Sequence, residues 1–160
     1  MIILGVDPGL ATVGWGVIQT DGNRHRLLQY GTLNTSAKDM LPIRLRDVYE
    51  GVTRLIERFH PDHIAVEELF FNTNAKTAML VGQARGVLVL SAANAGLPVY
   101  EYTPLQVKQA VVGYGRADKN QVQQMVKSIL SLRIVPKPDD TADALAVAIC
   151  HAHTNKRTGT

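Results

Sequence analysis

The stretch MIILGVDPG (residues 1–9) places an acid, a proline and a glycine directly after a run of apolar side chains. A short run rich in isoleucine, valine and leucine predicts a strand that is buried on both faces. A carboxylate at the end of such a strand needs a partner or a metal ion, because burying an unpaired charge is unfavourable. Asp7 is therefore the first candidate functional residue.

The rest of the chain predicts an α/β fold. Apolar runs and turn residues after Asp7 indicate a meander of antiparallel strands that ends near Leu33, with a turn at Asp21-Gly22-Asn23. Helical periodicity then alternates with short strands, in the order helix 42–59, strand 63–70, helix 75–95, strand 99–102, and three helices, the last over residues 139–153. This order predicts a mixed five-stranded sheet with helices on both faces.

Composition predicts one domain, at residues 1–153, followed by a disordered basic tail at 154–160. The chain has 160 residues, 46% of them hydrophobic and 19% charged, with a formal net charge of +3. No apolar run approaches the roughly 20 residues that a membrane span needs, so no membrane association is expected. Met1 leads directly into the first strand without a secretory signal, and Cys150 is the only cysteine. We therefore expect a cytoplasmic protein.

Carboxylates recur at the ends of apolar elements. Glu67 and Glu68 lie in the apolar run HIAVEELF, and Asp140 and Asp143 open the last predicted helix. Residues at i and i+3 share a helix face, so both aspartates can point at one ion. Strand alternation places Glu67 and Glu68 on opposite faces, so only one of them can join Asp7.

Oxygen ligands without histidine or cysteine partners favour Mg²⁺ or Mn²⁺. Two such ions can activate a water and stabilise the leaving oxygen of a phosphodiester, so the candidate chemistry is phosphodiester hydrolysis. Each acid also has a structural interpretation: Asp7 as a turn residue, Asp140 as a helix cap, and Asp143 as a charge favoured by the helix dipole.

Several longer segments resemble the RuvC family of Holliday-junction resolvases. The resemblance runs over nearly the whole chain, in the family's order, through the segments GVDPGLATVGWGVI, IAVEELFF, VGQARGVL, VKQAVVGYGRADKNQV and DDTADALAVAICHAH. The resemblance implies a ribonuclease-H-like fold. It also implies an Mg²⁺-dependent endonuclease that resolves four-way DNA junctions by paired nicks in opposed strands.

The same resemblance implies a role for individual residues. Four carboxylates match the family's ligands for two Mg²⁺ ions, for which Mn²⁺ is a possible substitute: Asp7, Glu67, Asp140 and Asp143. Phe70 matches the aromatic residue that stacks on an unpaired base of the junction. Lys119 and Lys108 match basic residues near the scissile phosphate, and Arg116 is a further expected DNA contact.

Partners are also implied by the resemblance: a second copy of the chain in a homodimer, and a branch-migration motor complex of the RuvA and RuvB type. Small residues at Ala78, Gly82 and Gly86 allow close approach along one face of the helix at 75–95.

The sequence leaves three alternative functions open. They are an ATP-dependent kinase or actin-like ATPase, for which 160 residues leave no second domain, a junction-binding module without activity, and a nuclease for RNA–DNA hybrids.

Overall fold

A computed structural model describes residues 1–68 and 74–158. Five strands and five helices follow one another along this part of the chain: β1 (Ile2–Asp7), β2 (Thr12–Asp21), β3 (Arg24–Asn34), α1 (Leu41–Phe59), β4 (His63–Glu67), α2 (Ala75–Asn94), β5 (Val99–Tyr102), α3 (Pro104–Val111), α4 (Lys119–Ile129) and α5 (Asp139–Thr158).

The strands form one mixed sheet in the order β3-β2-β1-β4-β5. The central strand β1 pairs with β2 in the antiparallel direction and with β4 in the parallel direction. The outer pairs continue each pattern, since β2 and β3 are antiparallel whereas β4 and β5 are parallel. The predicted mixed five-stranded sheet is confirmed.

Apolar side chains fill a core on each face of the sheet. On one face, Leu4 and Val66 pack with side chains of α1 and α2, among them Val48 and Leu88. The opposite face packs against α3, α4 and α5, whose side chains there include Ile149. Alternation along β1 divides its residues between the two cores, because successive side chains of a strand point to opposite faces. Helices on both faces are therefore confirmed as well.

Glycines in β1 and β2 let α5 lie unusually close to the sheet. A methyl group at Gly14 would overlap the backbone carbonyl of Asp140, and one at Gly5 would lie 2.9 Å from the Cβ of Ala148. Real Cβ contacts are not this short. Any residue other than glycine at these two positions would therefore force α5 to move away from the sheet. The close contact fixes the first turn of α5 against the carboxyl end of β1.

The last helix is longer than the sequence predicts. A disordered tail is expected over residues 154–160, but α5 continues to Thr158. The Thr154 hydroxyl donates a hydrogen bond of 2.8 Å to the backbone oxygen of Cys150, and Asn155 Nδ2 contacts the sulfur of Met1 at 3.7 Å. The first contact is internal to α5, whereas the second joins the helix to the start of β1, which the lack of apolar periodicity in this segment does not reveal.

Within the described ranges, none of the helices has the length and apolar character that crossing a bilayer would require.

Candidate active site

The sheet brings Asp7 and Glu67 to one edge. Asp7 is the last residue of β1 and Glu67 is the last residue of β4. These strands are parallel neighbours with Val6 opposite Val66, so the two acids end adjacent strands at the same level. The carboxyl ends of parallel strands are the usual place for a functional site in α/β proteins.

The first turn of α5 completes an acidic cluster at this edge. Single carboxylate oxygens of Asp7, Asp140 and Asp143 all lie within 4.8 Å of one another, and all three side chains are half-buried. Such an oxygen-only donor set fits a hard divalent cation such as Mg²⁺ or Mn²⁺. The close packing of α5 on Gly14 accounts for the meeting of helix and strand carboxylates.

Of the two adjacent glutamates, Glu67 is the one that lies beside this cluster. Glu67 lines a cavity with Asp143, and its charge affects the pKa of Asp7. Glu68 is exposed beyond the end of β4, and its backbone N–H donates to the oxygen of Tyr102 at 2.8 Å. The fold therefore places Glu67, and not the exposed Glu68, on the side of the acidic cluster.

Burial and mutual repulsion hold protons on the cluster in the absence of a cation. Burial, followed by the charges of Glu67, Asp143 and Asp140, raises the pKa of Asp7 to about 8. Burial and Asp143 raise the pKa of Glu67 to about 7, against the opposing effect of Lys108 and Lys119. The pKa of Asp143 is also raised, chiefly by burial. Clustered acids with such pKa values are a mark of a functional site that needs positive charge.

Two lysines border the cluster. Lys108 and Lys119 line a cavity of about 280 Å³ together with Glu67, Asp143 and apolar side chains of α3 and α4. The Nζ atom of Lys119 lies 3.9 Å from Oδ2 of Asp143. Although burial lowers the pKa of Lys119, the surrounding aspartates raise it by more, so this lysine stays charged at neutral pH.

Helix caps place both lysines. The Thr103 hydroxyl accepts from the backbone N–H of Gln106 at 3.1 Å and begins α3, which carries Lys108. Asp118 accepts from the backbone N–H of Gln121 at 2.8 Å and begins α4 at Lys119. Both helices begin with a capping box, and such caps stabilise a helix start by about 1 kcal/mol.

Asp139 is a polar neighbour of the cluster that the sequence analysis missed. Its Oδ2 lies 3.3 Å from the Nζ of Lys119, and its Oδ1 lies 3.0 Å from the Nζ of Lys137. Its position four residues before Asp143 could have indicated this, since residues at i and i+4 share a helix face.

Other expected site residues lie apart from the cluster or outside the described part of the chain. Phe70 belongs to residues 69–73, which the structure does not describe. Arg116 is exposed in the loop before α4 and is not among the residues that line the cavity. The buried His151, 1% exposed, lies near the other end of α5. It contacts His63 Nδ1 at 2.8 Å and the Tyr102 hydroxyl at 2.6 Å.

A larger cavity of about 630 Å³ lies at the end of α5 that is remote from the acids, where Gln109, His153 and Thr154 line it together with residues of the β2–β3 hairpin. It has no carboxylate in its lining, so the smaller cavity beside Glu67 is the chemically relevant one.

A family model for the crossover junction endodeoxyribonuclease RuvC matches residues 3–151 of this chain. The chain belongs to the RuvC family. A RuvC relative from Alkaliphilus oremlandii is 63% identical over 158 residues, which cover 99% of this chain and 96% of the relative.

Solved RuvC structures agree with this assignment. The Thermus thermophilus RuvC structure is 39% identical with a TM-score of 0.93, covering 99% of this chain and 97% of that chain. The same relative in complex with Holliday junction substrate gives a TM-score of 0.95 at 39% identity, covering 99% of this chain and 96% of the other. The ribonuclease-H-like fold that the sequence predicts is confirmed, and so is membership of a nuclease family.

Proposed function

We propose that this chain resolves four-way DNA junctions by paired nicks in opposed strands, using Asp7, Glu67, Asp140 and Asp143 to hold two Mg²⁺ ions. The observation that carries the proposal is the meeting of carboxylates from β1 and α5 at one edge of a RuvC-family sheet, with Glu67 of β4 beside them. The Thermus thermophilus relative in complex with Holliday junction substrate supports the choice of DNA.

The donor set supports divalent cations as the cofactor. When bound, two Mg²⁺ ions would activate a water for attack on the phosphodiester and stabilise the leaving 3′ oxygen. The chain's own contribution is to fix the four carboxylates on two strands and one helix. Because burial, followed by the repulsion of the neighbouring acids, raises the pKa of Asp7 and Glu67, a site that binds no cation retains protons at neutral pH.

Lys119 and Lys108 supply fixed positive charge on the α3 and α4 side of the site. An ammonium group there stabilises the negative charge that develops on a scissile phosphate. Together with Arg116, these lysines also hold the DNA backbone, so junction affinity is expected to fall with salt. For Phe70 we propose stacking on an unpaired base, which is compatible with any base identity.

A homodimer formed through α2 is part of the proposal. Met79 and Leu90 are 67% and 53% exposed, although both are large apolar side chains. They share one helix face with Gly86, at which an added methyl group would meet no atom within 4 Å. A second copy of the chain would cover this face and present two sites to a junction with near two-fold symmetry. Sedimentation equilibrium tests this: Leu90→Glu is expected to shift the dimer to monomer. Ala37→Glu, which makes the same change of charge at an exposed loop position away from α2, serves as the control.

We also propose that the enzyme acts in the cytoplasm with a branch-migration motor of the RuvA and RuvB type. Purified motor proteins are expected to accelerate junction cleavage. Equal rates with and without the motor would contradict this partnership.

Cleavage of a labelled synthetic junction tests the nuclease function. The junction, a linear duplex and an RNA–DNA hybrid are incubated with the protein and Mg²⁺, with Asp7→Asn as the inactive variant and the exposed Asp39→Asn as its matched control. We expect symmetric nicks in the junction alone, lost in Asp7→Asn and retained in Asp39→Asn. Binding without cutting under every metal condition would instead leave a junction-recognition module.

A further inference from the structure

Asp139 contacts both Lys119 and the buried side chain of Gln123, and it lies outside the acidic cluster. Its Oδ2 lies 3.3 Å from the Nζ of Lys119. Its Oδ1 accepts a hydrogen bond of 3.1 Å from Nε2 of Gln123, a side chain only 8% exposed, and one of 3.0 Å from the Nζ of Lys137. The carboxylate is therefore held from one side by a buried amide while it faces Lys119 on the other.

Two carboxylates on one helix face bracket the lysine. Asp139 and Asp143 are one turn apart on α5, and the Nζ of Lys119 lies 3.3 Å from an oxygen of the first and 3.9 Å from an oxygen of the second. Only Asp143 belongs to the cluster that can hold a cation, together with Asp7 and Asp140. The two partners of Lys119 therefore have different roles.

The difference matters because lysine is flexible. Its ammonium group sits on a mobile four-carbon stem, and the side chain of Lys119 is 58% exposed. If Asp143 is engaged with a cation, its negative charge is shared with that ion and no longer holds Lys119 well. Asp139 is outside the ligand set and remains able to hold the ammonium group.

We infer that Asp139 is a positioning residue that keeps the Nζ of Lys119 beside the active site while Asp143 serves as a ligand. This inference rests on the proposed nuclease function and deepens it. A purely structural Asp139 would act through its hydrogen bond from Gln123 and its exposed ion pair with Lys137, and neither of these contacts involves Lys119. The positioning role therefore predicts an effect that depends on Lys119 and not on Lys137.

A double-mutant cycle separates these roles. Single-turnover cleavage rates and metal-free junction affinities are measured for Asp139→Asn, Lys119→Met and the double variant, with Lys137→Met as the matched control. Asp139→Asn is expected to lower the cleavage rate roughly 3- to 30-fold, the range of direct pairwise couplings. Its metal-free affinity should remain within about twofold of wild type, since a side chain that acts on Lys119 contributes little to the overall contact with DNA.

The effect should disappear when its target is absent. In the Lys119→Met background, adding Asp139→Asn is expected to change the rate less than about twofold, and Lys137→Met alone should also stay within about twofold. Asp139→Glu, which keeps the negative charge, is expected to recover most of the rate. Equal effects of Asp139→Asn in both backgrounds would overturn the inference.

A spectroscopic measurement tests the contact without metal or cleavage. The side-chain ammonium signal of Lys119 in ¹H–¹⁵N spectra is assigned by its loss in Lys119→Met. We expect it to shift or broaden in Asp139→Asn and to stay in place in Lys137→Met; an unchanged signal in Asp139→Asn would overturn the inference. A wild-type protein that does not cut junctions would refute the proposed function and this role together, whereas a cutting enzyme with additive substitutions would refute the positioning role alone.

Discussion

Replacing Asp7 with asparagine should make the metal-free protein more stable while it abolishes cleavage. Burial and the neighbouring acids raise the pKa of Asp7 from 3.8 in the unfolded chain to about 8 in the fold. A carboxyl group whose pKa is raised on folding destabilises the folded state wherever the unfolded chain would ionise it. The penalty is absent below about pH 3.8 and grows until the pH exceeds about 8.

The expected magnitude follows from this shift. One pKa unit corresponds to about 1.4 kcal/mol, so the raised pKa of Asp7 costs the folded state about 5 kcal/mol at pH 8 and about 2 kcal/mol at pH 5. Asparagine has nearly the same volume and no charge. Asp7→Asn should therefore raise the free energy of unfolding in EDTA by several kcal/mol at pH 8, and by clearly less at pH 5.

Urea unfolding at both pH values, with EDTA or with Mg²⁺, measures this effect. Mg²⁺ at 100 times its dissociation constant would stabilise wild type by about 2.7 kcal/mol, and the variant by less because it lacks one ligand. The advantage of Asp7→Asn should therefore shrink when Mg²⁺ is present. A variant that is no more stable than wild type in EDTA at pH 8, while Asp39→Asn also matches wild type, would refute this account of the cluster.

Three further predictions concern the helices around the site. Burial, aided by His63, lowers the pKa of His151 from 6.5 to about 4, so its contribution to stability is full above pH 6.5 and is lost as the pH falls towards 4. Wild type should therefore lose about 2 kcal/mol more than His151→Phe between pH 7.5 and pH 5 in urea unfolding, and equal losses would contradict this. Gly5→Ala would push α5 off the sheet, because its methyl group lies 2.9 Å from that of Ala148; we expect a loss of about 1–3 kcal/mol in thermal unfolding together with impaired cleavage. Lys119→Met should lower the single-turnover cleavage rate roughly 100-fold, and a rate within threefold of wild type would exclude a role in charge stabilisation.

Most of the sheet could be predicted from the sequence because its signals are local. The apolar run before Asp7, the turn at Gly22 and the helical spacing in residues 42–59 each report the backbone state of their own segment. The elements carrying Asp7, Glu67, Asp140 and Asp143 could be identified in the same way. That these four residues lie close together could not be predicted in this way, because it depends on the strand order and on the position of α5.

What the sequence could not provide was the set of contacts between distant segments. Asp139 meets Lys119 and Gln123 only because α4 packs beside the start of α5, and no periodicity encodes that pairing. The extension of α5 past His153 is similar, since Asn155 contacts Met1 at the other end of the described chain, and no apolar spacing predicts that contact.

The two ends of the sheet differ in function, because the acids lie at only one of them. All four acids lie at the carboxyl end of β1 or beside it, whereas Gly22 and Gly96 lie in connections at the other end of the sheet, where an added side chain would meet no atom within 4 Å. A fluorophore attached beside either glycine would sit away from the cleavage chemistry. Pairs of such labels on two copies of the chain would report assembly on a junction in real time, with little effect on the rate of the nicks.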